Sequence, residues 1–293
     1  MKETEIKTTA PVGIPAEKIR PFEGHPYKVS DNEEMSELTE SIERNGILSP
    51  LLVRPLNDGT YELISGHRRL HAAVNVGMTT VPAIVLQVGR DEAAVMVVDS
   101  NLHREHILPS EKAFAYKLKA DALSHQGQKT FFTSGQLVPK SDGNRTTAQI
   151  GEDTGESYKT VQRYIRLTHL IPELLDMMDE GRIALSPGVE LSYLDEETQY
   201  ALLEIIERED CTPSYSQAWR LHNAYRDGTL TEETLEEIMS EEKANQRETF
   251  RIPAEKLQNV IPKGISGRRA EEYVLKACEF YKKYLQKKKE QCL

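Results

Sequence analysis

The sequence predicts an α+β protein: a small mixed α/β domain first, then helices to the C-terminus. Three observations carry that expectation. Strand-like apolar runs at Leu51-Leu-Val-Arg54, Tyr61-Glu-Leu-Ile64 and Val81-Pro-Ala-Ile-Val-Leu86 all fall before Gly89. From Asp91 onward the apolar spacing becomes helical. Charge then separates: residues 171–250 hold 20 acids against 6 bases, a net of −14, and residues 251–293 hold 11 bases against 5 acids, a net of +6. The total of −10 therefore does not exclude a nucleic-acid partner, because local charge decides whether a surface can approach phosphates.

Composition bounds the rest. A chain of 293 residues has room for two or three domains. Charged residues make up 29% and mean hydropathy is −0.55, so much of the sequence is surface. No apolar run approaches the roughly 18 residues of a membrane span, so no membrane partner is expected. The polar start Met1-Lys-Glu-Thr-Glu lacks the apolar core of a signal peptide. Cys211, Cys278 and Cys292 are scattered, with neither a zinc spacing nor a disulfide framework. They suit a reducing cytoplasm, which is the expected location.

Taken in order, residues 1–11 read as a disordered tail and 12–88 as the α/β domain. Ile14-Pro-Ala-Glu-Lys-Ile19 is a short strand and turn. Asp31 is placed to cap a helix with Met35, Leu38 and Ile42 on one face, ended by Gly46. Asn57-Asp-Gly59 turns one strand into the next. A helix from His67 buries Leu70, Ala73 and Val74 and stops at Gly77. Residues 89–123 form a helical connection: Asp91–Ser100, a break at 101–108, then a helix entered through Pro109, a residue suited to a first helical position. Residues 124–146 lack periodicity and read as a flexible loop. Residues 196–250 are an acidic helical region whose glutamates are solvated face. Residues 251–293 are a basic C-terminal segment with an amphipathic helix over 268–290, read as self-packing or dimerising. Ile252-Pro-Ala-Glu-Lys-Leu257 echoes the segment at Ile14, too briefly to be a repeat.

Two segments carry chemistry. Ile64-Ser-Gly-His-Arg-Arg-Leu-His-Ala-Ala73 ends a strand, turns at Gly66 and opens a helix with His67, Arg68 and Arg69. Arginines in a first helical turn oppose the positive end of the helix dipole. An anion bridging the open amides and the guanidiniums resolves that conflict, and a phosphate fits best. The second segment, 147–195, holds a helix-turn-helix spacing: Gly151, then Gly155 at a left-handed turn, Ser157 as cap, and Val161, Ile165 and Leu167 toward a core. The outward positions of that second helix are Tyr158, Lys159, Gln162, Arg163 and Arg166. The N-terminal ones, with the capping Ser157, face base edges, and Arg163 and Arg166 face phosphates.

With Asn101-Leu-His-Arg104 between these segments, the order resembles the ParB family of chromosome and plasmid partition proteins. That family has Gly-Glu-Arg-Arg-x-Arg, then Glu-Asn-Leu/Ile-Gln-Arg, then a helix-turn-helix. The resemblance covers about residues 12–195 and implies a ParB/sulfiredoxin-like N-terminal fold. It implies sequence-specific binding to double-stranded DNA in partition, gated by CTP, by a homodimer that works with a ParA-type ATPase on the nucleoid or a plasmid. Carried over by position, the nucleotide's phosphates would meet Gly66, His67, Arg68, Arg69, Asn101 and Arg104.

The departures matter equally. His67 stands where the family has Glu, Ser100 where the second motif begins with Glu, and His71 where the first motif ends in Arg. Both carboxylates are lost, so Mg²⁺ held in the family manner and CTP hydrolysis are not expected. No catalytic or metal-ligating residue is assigned. His67 and His71, four apart, and His103 and His106, three apart, read as lining a polar cleft. Asp99 and Glu105 are the nearest acids that could take over a metal. Sulfiredoxin's cysteine is replaced within Ser65-Gly-His-Arg68, which excludes its thiolate chemistry. Two other classes stay open: a transcriptional regulator of the same fold without a nucleotide switch, and a nuclease or phosphotransferase on the same scaffold.

Overall fold

A computed structural model describes residues 10–102, 106–134, 142–241, 262 and 268–290. Residues 1–241 form one compact unit and 242–293 a second. The first unit opens with a five-stranded sheet: β1 Val12–Pro15, β2 Ile19–Arg20, β3 Leu51–Pro55, β4 Tyr61–Ser65 and β5 Thr80–Val85, in the spatial order β1-β5-β3-β4-β2. β3 and β4 pair antiparallel as the hairpin that the Asn57-Asp-Gly59 turn predicts, with Gly59 at φ 78°. β5 joins β3 in parallel and β1 antiparallel, and β2 lies parallel to β4.

The strand period of two divides the sheet's side chains between two cores. Leu51, Val53 and Leu63 face α1 (Glu33–Asn45) and α2 (His67–Asn75), with Met35, Ile42, Ala72 and Ala73. Ile64 points the other way, toward Ala93, Ala94 and Val97 of α3 (Arg90–Asp99) and Ala122 of α4 (Pro109–Ser134). Glu62 is buried inside β4, where alternation would place it outward. Arg54 Nε donates to its Oε2 at 2.6 Å and the Glu23 N–H to its Oε1 at 3.2 Å, which satisfies the charge. Two local expectations change. Asn32, rather than Asp31, caps α1 by accepting from the Met35 N–H. Val74 is exposed, since Ala72 and Ala73 already meet the sheet from α2.

The region from 124 to 146 is mostly helical where a loop was expected. α4 continues through Ser134 and α5 (Asp142–Thr154) begins soon after. α4 has almost no amphipathic signal because it packs α3, α5, the next helix and α7 on different sides along its length. α5 turns through Gly155, at φ 72°, into α6 (Tyr158–Leu167), whose cap Ser157 accepts from the Thr160 N–H. Tyr116, Ile150 and Val161 form the small core of this hairpin. A Cβ on Gly151 would lie 2.5 Å from the Glu156 carbonyl oxygen, so glycine permits the close crossing at the turn. Five helices follow: α7 Pro172–Asp179, α8 Leu185–Leu191, α9 Glu196–Glu209, α10 Tyr215–Arg226 and α11 Glu232–Ser240. They share one apolar core around Leu174, Leu191, Leu202, Ile206 and Leu221.

In the second unit, α12 (Arg268–Glu290) is the helix predicted over 268–290, and Phe280, Tyr281 and Tyr284 are exposed on it. The echo of Ile14 at Ile252 lies outside the described residues. Among the described residues, no helix is long and apolar enough to cross a membrane.

Gly151→Ala is expected to cost about 1–3 kcal/mol, since the added methyl meets backbone that cannot retreat alone. Urea unfolding measures it, and an unchanged midpoint would show that α5 and α6 separate at no cost.

Candidate functional site: a polar cavity and an exposed helix

The turn between β4 and α2 builds the cavity. Gly66 adopts φ 105°, and a Cβ there would lie 2.5 Å from Leu51 Cδ2 and 3.2 Å from Arg69 Nη2. Conformation and space both require glycine. No side chain caps α2, so its N-terminal amides and dipole face the space beyond the turn. That space is a cavity of about 610 Å³ between the 25–29 segment, α1, the turn, and Ser100 and Asn101 after α3. Of the six residues assigned to phosphate from sequence, Gly66, His67, Arg68, Arg69 and Asn101 line it together. Arg104 lies outside the described residues, as do His103 and Glu105.

Their individual states differ. Arg68 is half-exposed and pairs with Glu34 of α1 at 3.0 Å. Arg69 turns the other way and donates to the carbonyls of Ser49 and Pro50. Burial holds its guanidinium below its ordinary pKa. Arg69 thus closes the loop before β3 and is only secondarily a cavity wall. His71 Nε2 bonds the Asp31 carboxylate at 2.8 Å. His67 stacks on His25, with ring centroids 3.5 Å apart and 28° between planes. His25 Nδ1 donates to the Tyr27 carbonyl at 2.9 Å. Asn101 is buried and anchors the end of α3 through the Val97 carbonyl at 2.8 Å.

Sequence reasoning missed His25, Tyr27 and Lys28, which line the cavity from a segment without periodicity. Only the cluster Gly24-His-Pro-Tyr-Lys28 could have marked it. Lys28 also reaches away from the cavity: its ammonium lies 3.0 Å from Asp176 and 3.3 Å from Asp179 of α7. Its hydrogen bond to Asp176 raises its pKa above the usual lysine value. Neither motif supplies a carboxylate to this cavity. Asp99 is paired with Lys119 at 2.6 Å, and the described residues contain no cluster of three or more metal-ligating side chains. Glu34 and Glu37 of α1 are the carboxylates that line it.

On α6, Ser157, Tyr158, Lys159 and Gln162 lie on the exposed side, with the Ser157 hydroxyl committed to its cap. The two arginines assigned to phosphates turn inward. Arg163 Nη2 donates to Ser186 Oγ at 2.7 Å. Arg166 donates to the Ser192 carbonyl at 2.8 Å and lies over the Tyr193 ring at 4.1 Å, whose plane stacks on His222 at 4.2 Å. Arg166 thus brackets α6 and the end of α8, with acceptors inside the fold.

A family model described as the ParB N-terminal domain matches residues 1–102, about a third of the chain. The chain is 34% identical to the chromosome-partitioning protein Spo0J of Thermus thermophilus over 198 residues, 67% of this chain and 65% of that protein. It is 30% identical to the nucleoid occlusion protein of a Geobacillus species over 198 residues, 67% of this chain and 63% of that protein. It therefore spans just under two thirds of the length of each. The solved pNOB8-like ParB N-domain superposes loosely, with a TM-score of 0.46 at 19% identity over 82% of this chain and 98% of its own.

The two arginines of α2 should separate by assay. Arg69→Ala strips two carbonyls of their donor and is expected to cost about 1–3 kcal/mol. Arg68→Ala, losing one exposed ion pair, should stay within about 0.5 kcal/mol of the parent. Chemical denaturation compares them, and equal losses would contradict the division of labour.

Proposed function

Because this chain belongs to the ParB family, we propose that it binds double-stranded DNA sequence-specifically in plasmid or chromosome partition, with CTP bound in its cavity. The observation that carries the DNA reading is the α5–α6 hairpin. Gly151 and Gly155 permit a close turn, and Ser157 starts a helix whose first turns stay exposed. Tyr158, Lys159 and Gln162 reach base edges from that end. Arg163 can meet a phosphate by exchanging its bond to Ser186.

The cavity supports the nucleotide half of the proposal. Its volume falls in the range of small-molecule sites. The Gly66 turn and the α2 amides would cradle phosphates, with Arg68 and Asn101 around them. Bound CTP supplies charge and bulk that link the cavity wall on α1, the α2 start and the end of α3. A Mg²⁺ held in the family manner does not fit: its carboxylate positions hold Ser100 and His67, and the His67 ring is engaged with His25. The proposed assembly is a homodimer on paired half-sites, cytoplasmic and DNA-associated, with a ParA-type ATPase as partner. The loss of both acids also favours a second reading, a regulator of the same fold without nucleotide switching.

Genome-wide crosslinking should recover a small set of paired sites. On a mapped site Lys159→Ala should weaken binding and lower the salt slope by about one if the lysine also meets a phosphate. Unchanged affinity in Lys159→Ala and Gln162→Ala would remove α6 from the interface. A panel of CTP, ATP and GTP decides between the two readings of the cavity. With CTP, Mg²⁺ and cognate DNA, phosphate release should stay near background, since a missing metal contact removes orders of magnitude in rate. Robust turnover abolished by Arg68→Ala would show a working hydrolase.

A further inference from the structure

Among the described residues, the cavity's fixed cations are already compensated. Arg68 is paired with Glu34, Lys28 with Asp176 and Asp179, and Arg69 with two carbonyls. Glu37 adds a further negative charge from α1. A nucleotide triphosphate brings several negative charges into this space. Among the described residues lining it, the stacked imidazoles of His25 and His67 are groups able to gain positive charge near neutral pH. Resting on the nucleotide-binding reading above, we propose that the cavity binds its nucleotide without a divalent metal and takes up a proton on the His25–His67 pair instead.

The geometry sets the stoichiometry. Rings 3.5 Å apart would hold two like charges at close contact, so one proton is shared and a second is excluded. Imidazole lone pairs lie in the ring plane, and stacked rings do not aim them at one ion between the faces. A transition metal clasped between the pair is therefore disfavoured, in keeping with the lack of a metal-ligating cluster among the described residues. The sign of the linkage follows. A bound polyanion favours the imidazolium, so the pair's titration moves up on binding. Affinity is then highest below the free pair's titration and is lost as pH rises through the bound one.

The test is titration calorimetry of the full chain with CTP and, separately, inorganic tripolyphosphate, from pH 6 to pH 8, in EDTA and in Mg²⁺. The expected result is binding in EDTA, roughly tenfold tighter at pH 6 than at pH 8. Heats in buffers of different ionisation enthalpy should give an uptake of about one proton. His67→Gln and His25→Gln should each flatten the pH dependence. His67→Glu should convert binding to a Mg²⁺-dependent form. Tight binding that needs Mg²⁺ and ignores pH would overturn this proposal and leave the nucleotide reading standing. No binding of either probe under any condition would overturn both. The wild-type titrations decide the matter even if a variant fails to fold.

Discussion

The Lys119 side chain is 2% exposed, with its ammonium 2.6 Å from Asp99 of α3 and 2.6 Å from Asp153 of α5. An ammonium removed from water is costly unless it is paired, so the three helices must hold a single mutual arrangement to keep it satisfied. Much of the first unit follows from that. Asp99 leads directly into Ser100 and Asn101 at the cavity edge, and Asp153 leads into the Gly155 turn that launches α6. One buried charge thus positions both the cavity and α6, although they share no residue.

A second polar junction runs along the other side of α4. Glu111 accepts from the Lys28 and Leu108 N–H groups, and Asp179 accepts from the backbone and hydroxyl of Ser110. These carboxylates satisfy the open amides at the start of α4, as acids do at helix N-termini. Because Lys28 bonds Asp179 as well, the cavity-lining segment, α4 and α7 share one network. The junctions are polar and specific, whereas the cores on either side are apolar and generic.

The strand period, the hairpin turn, the Ser157 cap and the helix-turn-helix glycines were legible because each is a local rule acting on a few adjacent residues. Gly66, His67, Arg68, Arg69 and Asn101 could be brought to one place only through family resemblance, since periodicity does not say where two distant segments meet. His25 and Lys28 were invisible because a segment held by long-range hydrogen bonds carries no pattern of its own. The inward bonds of Arg163 and Arg166 were hidden for the opposite reason. An outward position on a helical wheel is outward only until another helix covers it, and α8 does.

The 21–32 segment has neither strand nor helix. Even so, its Glu23 N–H is bound to Glu62, a carboxylate buried in the sheet, and its Lys28 N–H to Glu111, buried at the start of α4. Solvent reaches such amide protons only when those partners part. In hydrogen–deuterium exchange this stretch would keep time with the elements around it, and its irregular backbone would be a poor guide to its motion.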